Sequence, residues 1–348
     1  MLELRSPDGA FERIEAYLRE RGFFAAGGER LEADLYLGYG LSESLRRTST
    51  PAPAEPARLP LAAVAVRDVT GSEPVRSAAG TVRIGQWERS WTDAEYADGV
   101  ESVRTAIARG DVYQVNLVQH LSAAFNGDPA SLAGRLAAFG PRLLAGSGWA
   151  IVSASPELFL ARRGRRVWTC PIKGTRPLGE HVEGEKDSAE HVMIVDLERN
   201  DLSRVCEPGS VRWPELMVER ELAGVTHLVS TVEGRLRKEV GLAELLAATF
   251  PGGSVTGAPK IAAVDLIAEL EPAGRGASMG ALGVVRGNGD LELALTIRTF
   301  AIDEGRIHLW VGGGIVWDSD PEAEIEESWT KAGPLLAAIG APVEAVTR

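Results

Sequence analysis

The sequence predicts an α+β fold built around antiparallel β-sheets. Apolar runs rich in β-branched residues, such as VRIGQW and GWAIVSASPELFLARRG, alternate with stretches of helical periodicity near 93–109, 186–204, 242–249 and 258–269. Two further runs, LELALTIRTFAI and RIHLWVGGGIV, are joined by a short DEG turn, which is typical of an antiparallel hairpin. Such hairpins favour α+β over a doubly wound parallel sheet.

The composition is that of an ordinary soluble protein and disfavours two classes of partner. The chain has 348 residues, of which 45% are hydrophobic and 25% are charged. Its net charge of −12 gives no electrostatic attraction to phosphate backbones or anionic lipid, and no basic block occurs. We therefore expect neither nucleic acid nor a membrane as a partner.

The cysteines and the N-terminus predict a cytoplasmic protein. Cys170 and Cys206 match no metal-binding spacing, and two thiols in a chain of this length fit a reducing compartment. The first residues are charged and lack the apolar core of a signal peptide.

Near the N-terminus, TSTPAPAEPARLP (48–60) is rich in Pro and Ala, which predicts a surface loop.

The segment DSDPEAEIEESWTKAGPLL predicts a helix with an acidic face. Helical periodicity places Glu324, Glu327 and Lys331 on one face, beside an apolar stripe. Paired carboxylates suit Mg²⁺, which takes one or two protein carboxylates and completes its shell with substrate oxygens and water. A solvated face with an ion pair between Glu327 and Lys331 explains the same pattern.

A second predicted helix, EGEKDSAEHVMIVDLERNDL, carries Asp187 and Glu190 on one face. This pair is another possible half-site for a divalent cation, or else surface charge. Two acidic pairs from distant segments form one metal site only if the fold brings them together. Spacing in the sequence does not establish that.

Two glycine-rich segments, FPGGSVTGAPK (250–260) and VGGGIVWDS (311–319), have the composition of anion cradles, although tight turns have it too. The first is not a Walker A motif, because Ala258 and Pro259 separate Gly257 from Lys260.

Arg298, predicted to lie in a strand, is either a bidentate clamp for a carboxylate or a residue of the sheet surface.

Three ionisable residues lie in apolar surroundings. Lys173 in PIKGTRPLGE has a setting that would desolvate the amine, lower its pKa and leave it nucleophilic. His227 in GVTHLVSTVEG and Glu157 in SASPELFLARRG lie in strand-like runs. Alternatively, Lys173 is an ordinary surface lysine, and His227 and Glu157 are core residues with satisfied hydrogen bonds.

Eight segments form one ordered set: GDVYQVNLVQ, SPELFL, PIKGTRPLGE, AEHVMIVDLERNDLSRV, THLVSTVEGRL, FPGGSVTGAPK, ALTIRTF and GGGIVWDSDPEAEIEESWTKA. Together they resemble the chorismate-binding family, which includes anthranilate, aminodeoxychorismate, isochorismate and salicylate synthases. The resemblance implies two large, mainly antiparallel sheets packed face to face, with helices outside. It also implies a catalytic domain over 86–345, preceded by a shortened segment, 1–85, that joins the same sheet core.

The resemblance also implies roles for the residues singled out above. Glu190, Glu324 and Glu327 resemble the Mg²⁺ ligands, with Asp187 beside them, and Glu157 resembles the general acid for the C4 hydroxyl of chorismate. The groups that resemble the family's substrate-binding residues are Arg298, Lys331, Thr256 and the backbone of Gly312, Gly313 and Gly314.

Two positions select a reaction within the family. Relatives that add water carry a lysine base at the position of Gln114, and a glutamine does not deprotonate water. Anthranilate synthases typically show PIAGT, whereas PIKGT here is similar to component I of aminodeoxychorismate synthases, in which the lysine attacks C2. The resemblance therefore implies Mg²⁺-dependent amination of chorismate at C4, on the route to p-aminobenzoate and folate, with Lys173 as the nucleophile.

The chain lacks a recognisable glutaminase motif, so the resemblance implies ammonia from a separate glutamine amidotransferase subunit or from solution. Anthranilate synthase component I and an aminodeoxyisochorismate-forming relative are the alternative enzymes; in the anthranilate pathway, the histidine at the place of His227 assists pyruvate loss. A catalytically silent subunit is a third possibility, which intact Glu157 and Lys173 argue against.

Overall fold

The computed structural model describes residues 1–69, 80–177, 185–222 and 225–341, without the side chains of 175–177, 185–189, 222 and 225. The helices in these ranges are α1 (Ala10–Glu20), α2 (Asp93–Arg109), α3 (Pro129–Arg135), α4 (Glu185–Ser203), α5 (Leu242–Thr249), α6 (Lys260–Leu270) and α7 (Pro321–Ala338). Short 3₁₀ turns span Gly28–Arg30, Tyr39–Leu45, Ala137–Phe139 and Gly253–Val255.

The strands in the described ranges are β1 (Leu2–Leu4), β2 (Leu31–Leu37), β3 (Ala62–Asp68), β4 (Arg83–Ile84), β5 (Glu88–Arg89), β6 (Gln114–Asn126), β7 (Arg142–Gly146), β8 (Trp149–Ser153), β9 (Leu158–Arg163), β10 (Arg166–Cys170), β11 (Ile172–Pro177), β12 (Arg212–Leu222), β13 (Val225–Arg235), β14 (Gly257–Ala258), β15 (Ala281–Arg286), β16 (Leu291–Leu295), β17 (Thr299–Asp303) and β18 (Arg306–Ile315).

These strands form two antiparallel sheets, as the sequence predicts. The first has the order β1-β3-β2-β15-β16-β9-β10-β13-β11, with β12 paired to β13. The second has the order β14-β6-β18-β17-β8-β7, with β4 and β5 paired to β6. The predicted hairpin is present, because Asp303 of β17 pairs with Arg306 of β18. The prediction of an α+β fold with two mainly antiparallel sheets is confirmed.

The second sheet has a buried layer on each face. One layer, which includes Ile151 and Trp310, belongs to the large core that also holds side chains of the first sheet. The other layer includes Phe300 and Leu309 and is covered by Trp329 and neighbouring side chains of α7. The alternation along each strand therefore gives the sheet two apolar faces, one towards its partner sheet and one towards a helix.

Two apolar runs that the sequence suggests are single strands are each divided between the two sheets. The run containing Arg298 leaves the first sheet after β16 and enters the second at β17, so the prediction that Arg298 lies within a strand is wrong. Its backbone has φ of 50°, in the left-handed region, which turns the chain out of one sheet. The run containing Glu157 makes the reverse passage, from β8 to β9.

The helix that carries the C-terminal acidic face begins at Pro321, within the segment whose sequence predicts a helix. Asp320 is its N-cap and accepts a hydrogen bond from the Ala323 backbone N–H at 3.0 Å, and Pro321 occupies the first turn. In the described part of the chain, no helix has the length and apolarity required to cross a membrane.

Candidate functional site

The candidate site lies where the chain passes between the sheets. The crossing segments 154–157 and 296–298 run side by side, and hydrogen bonds join them at both ends. The Ala154 N–H donates to the Arg298 carbonyl at 3.0 Å, and the Leu295 N–H donates to the Glu157 carbonyl at 3.0 Å. Two predicted site residues are thus fixed at one junction by backbone geometry.

Glu157 is a buried carboxyl at this junction, with an exposed fraction of 4%. The Ile172 N–H donates to its Oε1 at 3.4 Å. Burial raises the pKa of Glu157, although Lys173, the Ser254 hydroxyl and the Ile172 N–H each oppose the rise. A carboxyl with a raised pKa retains its proton to higher pH, which is the state that a general acid requires.

Lys173, Glu190 and Gln114 form a connected group. The ammonium nitrogen of Lys173 lies 2.8 Å from Oε1 of Glu190, and both side chains are largely buried. Gln114 donates a hydrogen bond from Nε2 to the same Glu190 oxygen. Strand β11 carries the lysine, helix α4 the glutamate and strand β6 the glutamine, so three separate elements converge here.

The expected lowering of the Lys173 pKa is wrong for this arrangement. Burial by itself lowers the pKa of Lys173, but the carboxylates of Glu190 and Glu157 outweigh it and raise the pKa above its ordinary value. The same pairing acts on Glu190, whose burial raises its pKa while the lysine and Gln114 leave it lower than usual. The lysine is therefore an ammonium group held beside a carboxylate.

Three of the predicted acidic residues, Glu190, Glu324 and Glu327, lie against neighbouring glycines of β18. A Cβ atom at Gly313 would lie 3.3 Å from Oε2 of Glu324 and 3.5 Å from Oε1 of Glu327. A Cβ atom at Gly314 would lie 2.8 Å from Oε1 of Glu190. The glycines thus leave the space into which the carboxylates of α4 and α7 extend.

Each described carboxylate of this group has a partner. Glu324 is buried and its Oε1 accepts a hydrogen bond from the Ser319 hydroxyl at 2.6 Å, while Glu327 pairs with Lys331 at 2.6 Å. The ion pair between Glu327 and Lys331, the other explanation of the acidic face, is therefore present. Glu324 on the same helix is nevertheless a buried carboxylate. Lys331 also donates to the Gly312 carbonyl at 3.3 Å.

Oxygen donors of this kind fit Mg²⁺ by their chemistry. In the described ranges, however, no three acidic, histidine or cysteine side chains are already grouped as a metal site. The side chain of Asp187 lies outside the described residues. The lysine contacts of Glu190 and Glu327 each involve Oε1, and the assignment of Mg²⁺ stays a prediction.

His227 and Thr256 are buried close to the group. His227 has Nδ1 2.9 Å from the Gly174 carbonyl, next to Lys173 in the chain, and burial lowers its pKa. The Thr256 hydroxyl donates to the Gly252 carbonyl at 2.8 Å. This bond commits the threonine proton to the backbone.

Sequence reasoning missed a second group of buried charges behind Glu157. Glu198 and Asp201 of α4 are both buried, and Asp201 forms an ion pair with Lys260. The signal was present in the spacing, because Glu190, Ile194 and Glu198 follow one another at intervals of four on one helical face. Without knowledge of the fold, charges on the protein surface explain that pattern more simply.

Comparison with known proteins identifies the class. A family model described as chorismate binding enzyme matches residues 38–337. The chain belongs to this family of chorismate-binding enzymes.

Two curated relatives illustrate the range of activities in the family. The chain is 40% identical over 315 residues to anthranilate synthase component 1 of Streptomyces coelicolor, covering 86% of this chain and 59% of the relative. It is 41% identical over 266 residues to aminodeoxychorismate synthase component 1 of Salmonella typhimurium, covering 72% of this chain and 58% of the relative. The chain thus spans about three fifths of the length of these relatives.

Solved structures share the fold. Anthranilate synthase component I from Streptococcus pneumoniae superposes with a TM-score of 0.76 at 26% identity, covering 92% of this chain and 84% of that one. A protein from Bacillus anthracis described as a 2,3-dihydroxybenzoate-specific isochorismate synthase gives a TM-score of 0.75 at 23% identity, covering 98% of this chain and 91% of that one. These neighbours establish the architecture, and the choice among their reactions depends on the site.

Proposed function

We propose that this protein aminates chorismate at C4 and forms 4-amino-4-deoxychorismate, as component I of an aminodeoxychorismate synthase. The observation that carries the proposal is the position of Lys173, which is buried between the carboxyl groups of Glu190 and Glu157. A lysine here is both a potential nucleophile and a neighbour of a potential general acid.

In the proposed first step, the Lys173 nitrogen attacks C2 of chorismate. The lysine must first lose a proton, and Glu190, 2.8 Å away, is placed to accept it. As the N–C2 bond forms, the ring double bonds shift and the C4–O bond breaks. Glu157 donates its proton so that the hydroxyl leaves as water, a much better leaving group than hydroxide.

In the second step, ammonia adds to C4, the double bonds shift back, and the bond between C2 and the lysine nitrogen breaks. The lysine nitrogen keeps its electron pair, and the added nitrogen loses one proton. The enolpyruvyl group stays on the ring throughout. Lysine thus directs ammonia to C4 by occupying C2 first.

The side chains that would hold Mg²⁺ in this proposal are Glu190, Glu324 and Glu327, with Asp187 as a further candidate. When bound, the ion would hold a substrate carboxylate and neutralise its charge. Arg298, Lys331 and the backbone around Gly312, Gly313 and Gly314 would bind the substrate's carboxylates, with Thr256 in the pocket wall. Their charges and open backbone suit that role.

Gln114 supports nitrogen rather than water as the second nucleophile. Its amide lies in the site, where it donates to Glu190, and an amide has no basic group with which to activate water. Addition of water, as in isochorismate formation, would need a base that Gln114 does not supply.

Anthranilate formation is the second candidate, and two observations favour it. The relative from Streptomyces coelicolor, an anthranilate synthase component 1, aligns with 86% of this chain. His227 is also close to Lys173, through the Gly174 carbonyl, where the anthranilate route would use a histidine to assist pyruvate loss. Lys173 is the feature that this alternative leaves without a role.

We propose a separate glutamine amidotransferase subunit, or free ammonia, as the nitrogen source, and the cytoplasm as the location. The relatives' designation as component 1 supports a second component. The two cysteines are free thiols in the described structure, consistent with a reducing compartment.

Product identification tests the proposal. Purified protein is incubated with chorismate, Mg²⁺ and ammonium, and the products are analysed by mass spectrometry before and after adding a lyase that removes pyruvate from aminodeoxychorismate. The proposal predicts a species of aminodeoxychorismate mass that the lyase converts to p-aminobenzoate. Direct formation of anthranilate would assign the protein to the second candidate.

A further inference from the structure

An open groove on the first sheet is lined by arginine side chains and shares no lining residue with the candidate catalytic site. Its volume is about 550 Å³, which is a common size for the small-molecule sites of proteins. The arginines that line it are Arg165, Arg166, Arg212 and Arg235. In a chain with a net charge of −12, this local concentration of positive charge requires a physical explanation.

Sheet register places three of these arginines on one face. Arg166 of β10 lies directly opposite Arg235 of β13, and Arg212 of β12 lies directly opposite Glu233 of β13. Glu233 and Arg235 are two positions apart on one strand, so their side chains share a face. Val232, which alternates with them, is buried in the core, so the arginines are on the outer face of the sheet.

Glu233 holds two of the guanidinium groups in place. Its exposed fraction is 5%, and it accepts hydrogen bonds from Nε of Arg166 at 2.7 Å and from Nε of Arg212 at 2.7 Å. The guanidinium carbon of Arg166 also lies 4.7 Å from the centre of the Trp168 ring. The two arginine side chains are nevertheless 58% and 75% exposed, so part of each N–H fork is open to a ligand.

Positive charge exceeds negative charge in this groove. Burial by itself raises the pKa of Glu233, but the two guanidinium groups bound to it leave the pKa below its ordinary value, so the carboxylate is ionised. The second carboxylate is that of Glu207, which pairs with Arg165 and Arg235 at the rim. Among the described side chains, four guanidinium groups therefore face two carboxylates, which leaves two positive charges in excess.

The register also creates a repulsion that a bound anion would remove. Arg166 and Arg235 lie directly opposite each other on neighbouring strands, where like charges destabilise a sheet. An oxyanion between the two guanidinium groups would replace this repulsion with two attractions. Arginine suits phosphate and carboxylate groups because its planar fork of N–H groups matches two of their oxygens.

The surroundings favour a compact ligand over a polymer. Beyond Arg212, strand β12 presents the exposed carboxylates of Glu219 and Glu221, and the chain as a whole is acidic. A nucleic acid or a long acidic peptide would extend over this negative surface. A small anion responds mainly to charges within one Debye length, about 10 Å at about 0.1 M salt.

We propose that this groove binds a small molecule that carries at least two negative charges on phosphate or carboxylate groups. The guanidinium groups held by Glu233 and that of Arg235 donate the hydrogen bonds, and Arg165 adds a further positive charge. This inference goes beyond the proposed function, because the groove contains none of the residues assigned to the reaction.

Isothermal titration calorimetry of the full chain with inorganic pyrophosphate tests binding without turnover. Mg²⁺ is left out, because it would itself bind pyrophosphate. We expect a dissociation constant below about 1 mM in about 50 mM salt, and at least about threefold weaker binding in about 200 mM salt, since the attraction is electrostatic. Citrate, titrated in parallel, distinguishes a carboxylate ligand from a phosphate ligand, and binding of either one in the groove supports the proposal.

Variants locate the bound anion. Arg212→Met and Arg235→Met should each weaken binding at least about tenfold, and both replace exposed side chains, so the fold should be retained. Arg212→Lys keeps the charge but lacks the fork and should give a smaller loss. The control is Arg109→Met, which removes an exposed arginine paired with Asp111 and should leave the affinity within about twofold.

Two results would overturn the inference. One is the absence of measurable binding of both pyrophosphate and citrate up to about 10 mM at low salt, against the affinity expected above. The other is binding that Arg212→Met and Arg235→Met both retain; its loss in Arg298→Met would then place the anion in the candidate catalytic site. Neither measurement depends on product formation, so the inference fails or succeeds separately from the assignment of C4 amination.

Discussion

The ammonium nitrogen of Lys173 lies 2.8 Å from Oε1 of Glu190, and the two groups belong to segments that no local pattern connects. The lysine is on an edge strand of the first sheet, whereas the glutamate is on helix α4. Their pairing places the proposed nucleophile beside a carboxylate that is both the proposed proton acceptor and a candidate metal ligand.

Glu157→Gln should lower kcat for chorismate amination by about 10²–10⁴-fold, because the amide keeps the size of the side chain but supplies no proton to the departing hydroxyl. The KM for chorismate should change by less than about threefold. Steady-state kinetics with ammonium at saturation measure both values. A variant with wild-type kcat would exclude Glu157 as the general acid.

Ser319→Ala should raise the Mg²⁺ concentration needed for half-maximal activity by about 10–100-fold. The Ser319 hydroxyl donates to Oε1 of Glu324 at 2.6 Å and so orients a proposed ligand. Titration of activity with Mg²⁺ measures the shift. Ser102→Ala is the control, because that hydroxyl bonds to the Asp98 carbonyl on an exposed part of α2. Equal Mg²⁺ requirements in both variants would contradict the assignment of Glu324.

Arg275→Met should lower the free energy of unfolding by about 3–5 kcal/mol, since it leaves the carboxylate of Glu271 buried and without its cation. Arg275 also donates to the Val255 carbonyl at 2.8 Å and the Asn116 carbonyl at 2.6 Å. It therefore links the segment next to Thr256 to strand β6.

Denaturant unfolding provides the measurement for Arg275→Met. Arg109→Met is the control, because it removes an exposed ion pair with Asp111 and should cost less than about 1 kcal/mol. Comparable losses in the two variants would show that the buried pair contributes no more than a surface pair.

The free energy of unfolding should fall as the pH falls from about 6.5 towards about 3, partly because of His120. Burial, with His308 and Arg306 nearby, lowers the pKa of His120 to about 3. The unfolded chain binds a proton in this range that the folded chain excludes, which costs up to about 1.4 kcal/mol per pH unit.

The matched variant is His120→Gln, which removes the titrating group but retains a polar side chain opposite His308, 3.0 Å away in the wild type. Unfolding curves at several pH values below neutrality should show a shallower dependence in the variant. Parallel dependences in the two proteins would mean that His120 does not contribute.

Much of the architecture follows from local sequence signals. Asp320 and Pro321 define the start of α7, and the DEG turn defines the hairpin of β17 and β18. The sheet change at Arg298 was not predictable in this way. The apolar run continues through it, and the chain passes to the other sheet within residues 296–298, where Arg298 has φ of 50°.

The site is predictable only in part for a related reason. Spacing identified acidic faces on α4 and α7 but not the glycines of β18 against which both lie, because that contact is set by sheet register. Lys173 shows that the sequence alone also fails to predict the direction of a pKa shift. An apolar flanking sequence predicts a lowered pKa for Lys173, and the carboxylates supplied by the fold reverse it.

The most direct test of the account is intact-protein mass spectrometry after mixing with chorismate and Mg²⁺ in the absence of ammonia. A bond between the Lys173 nitrogen and C2 with loss of the C4 hydroxyl should add the mass of chorismate less one water. The account predicts this adduct in the wild type, its location on Lys173 after proteolysis, and its absence in Lys173→Ala. An enzyme that aminates C4 while no adduct forms, or a Lys173→Ala variant that aminates C4 at the wild-type rate, would contradict it.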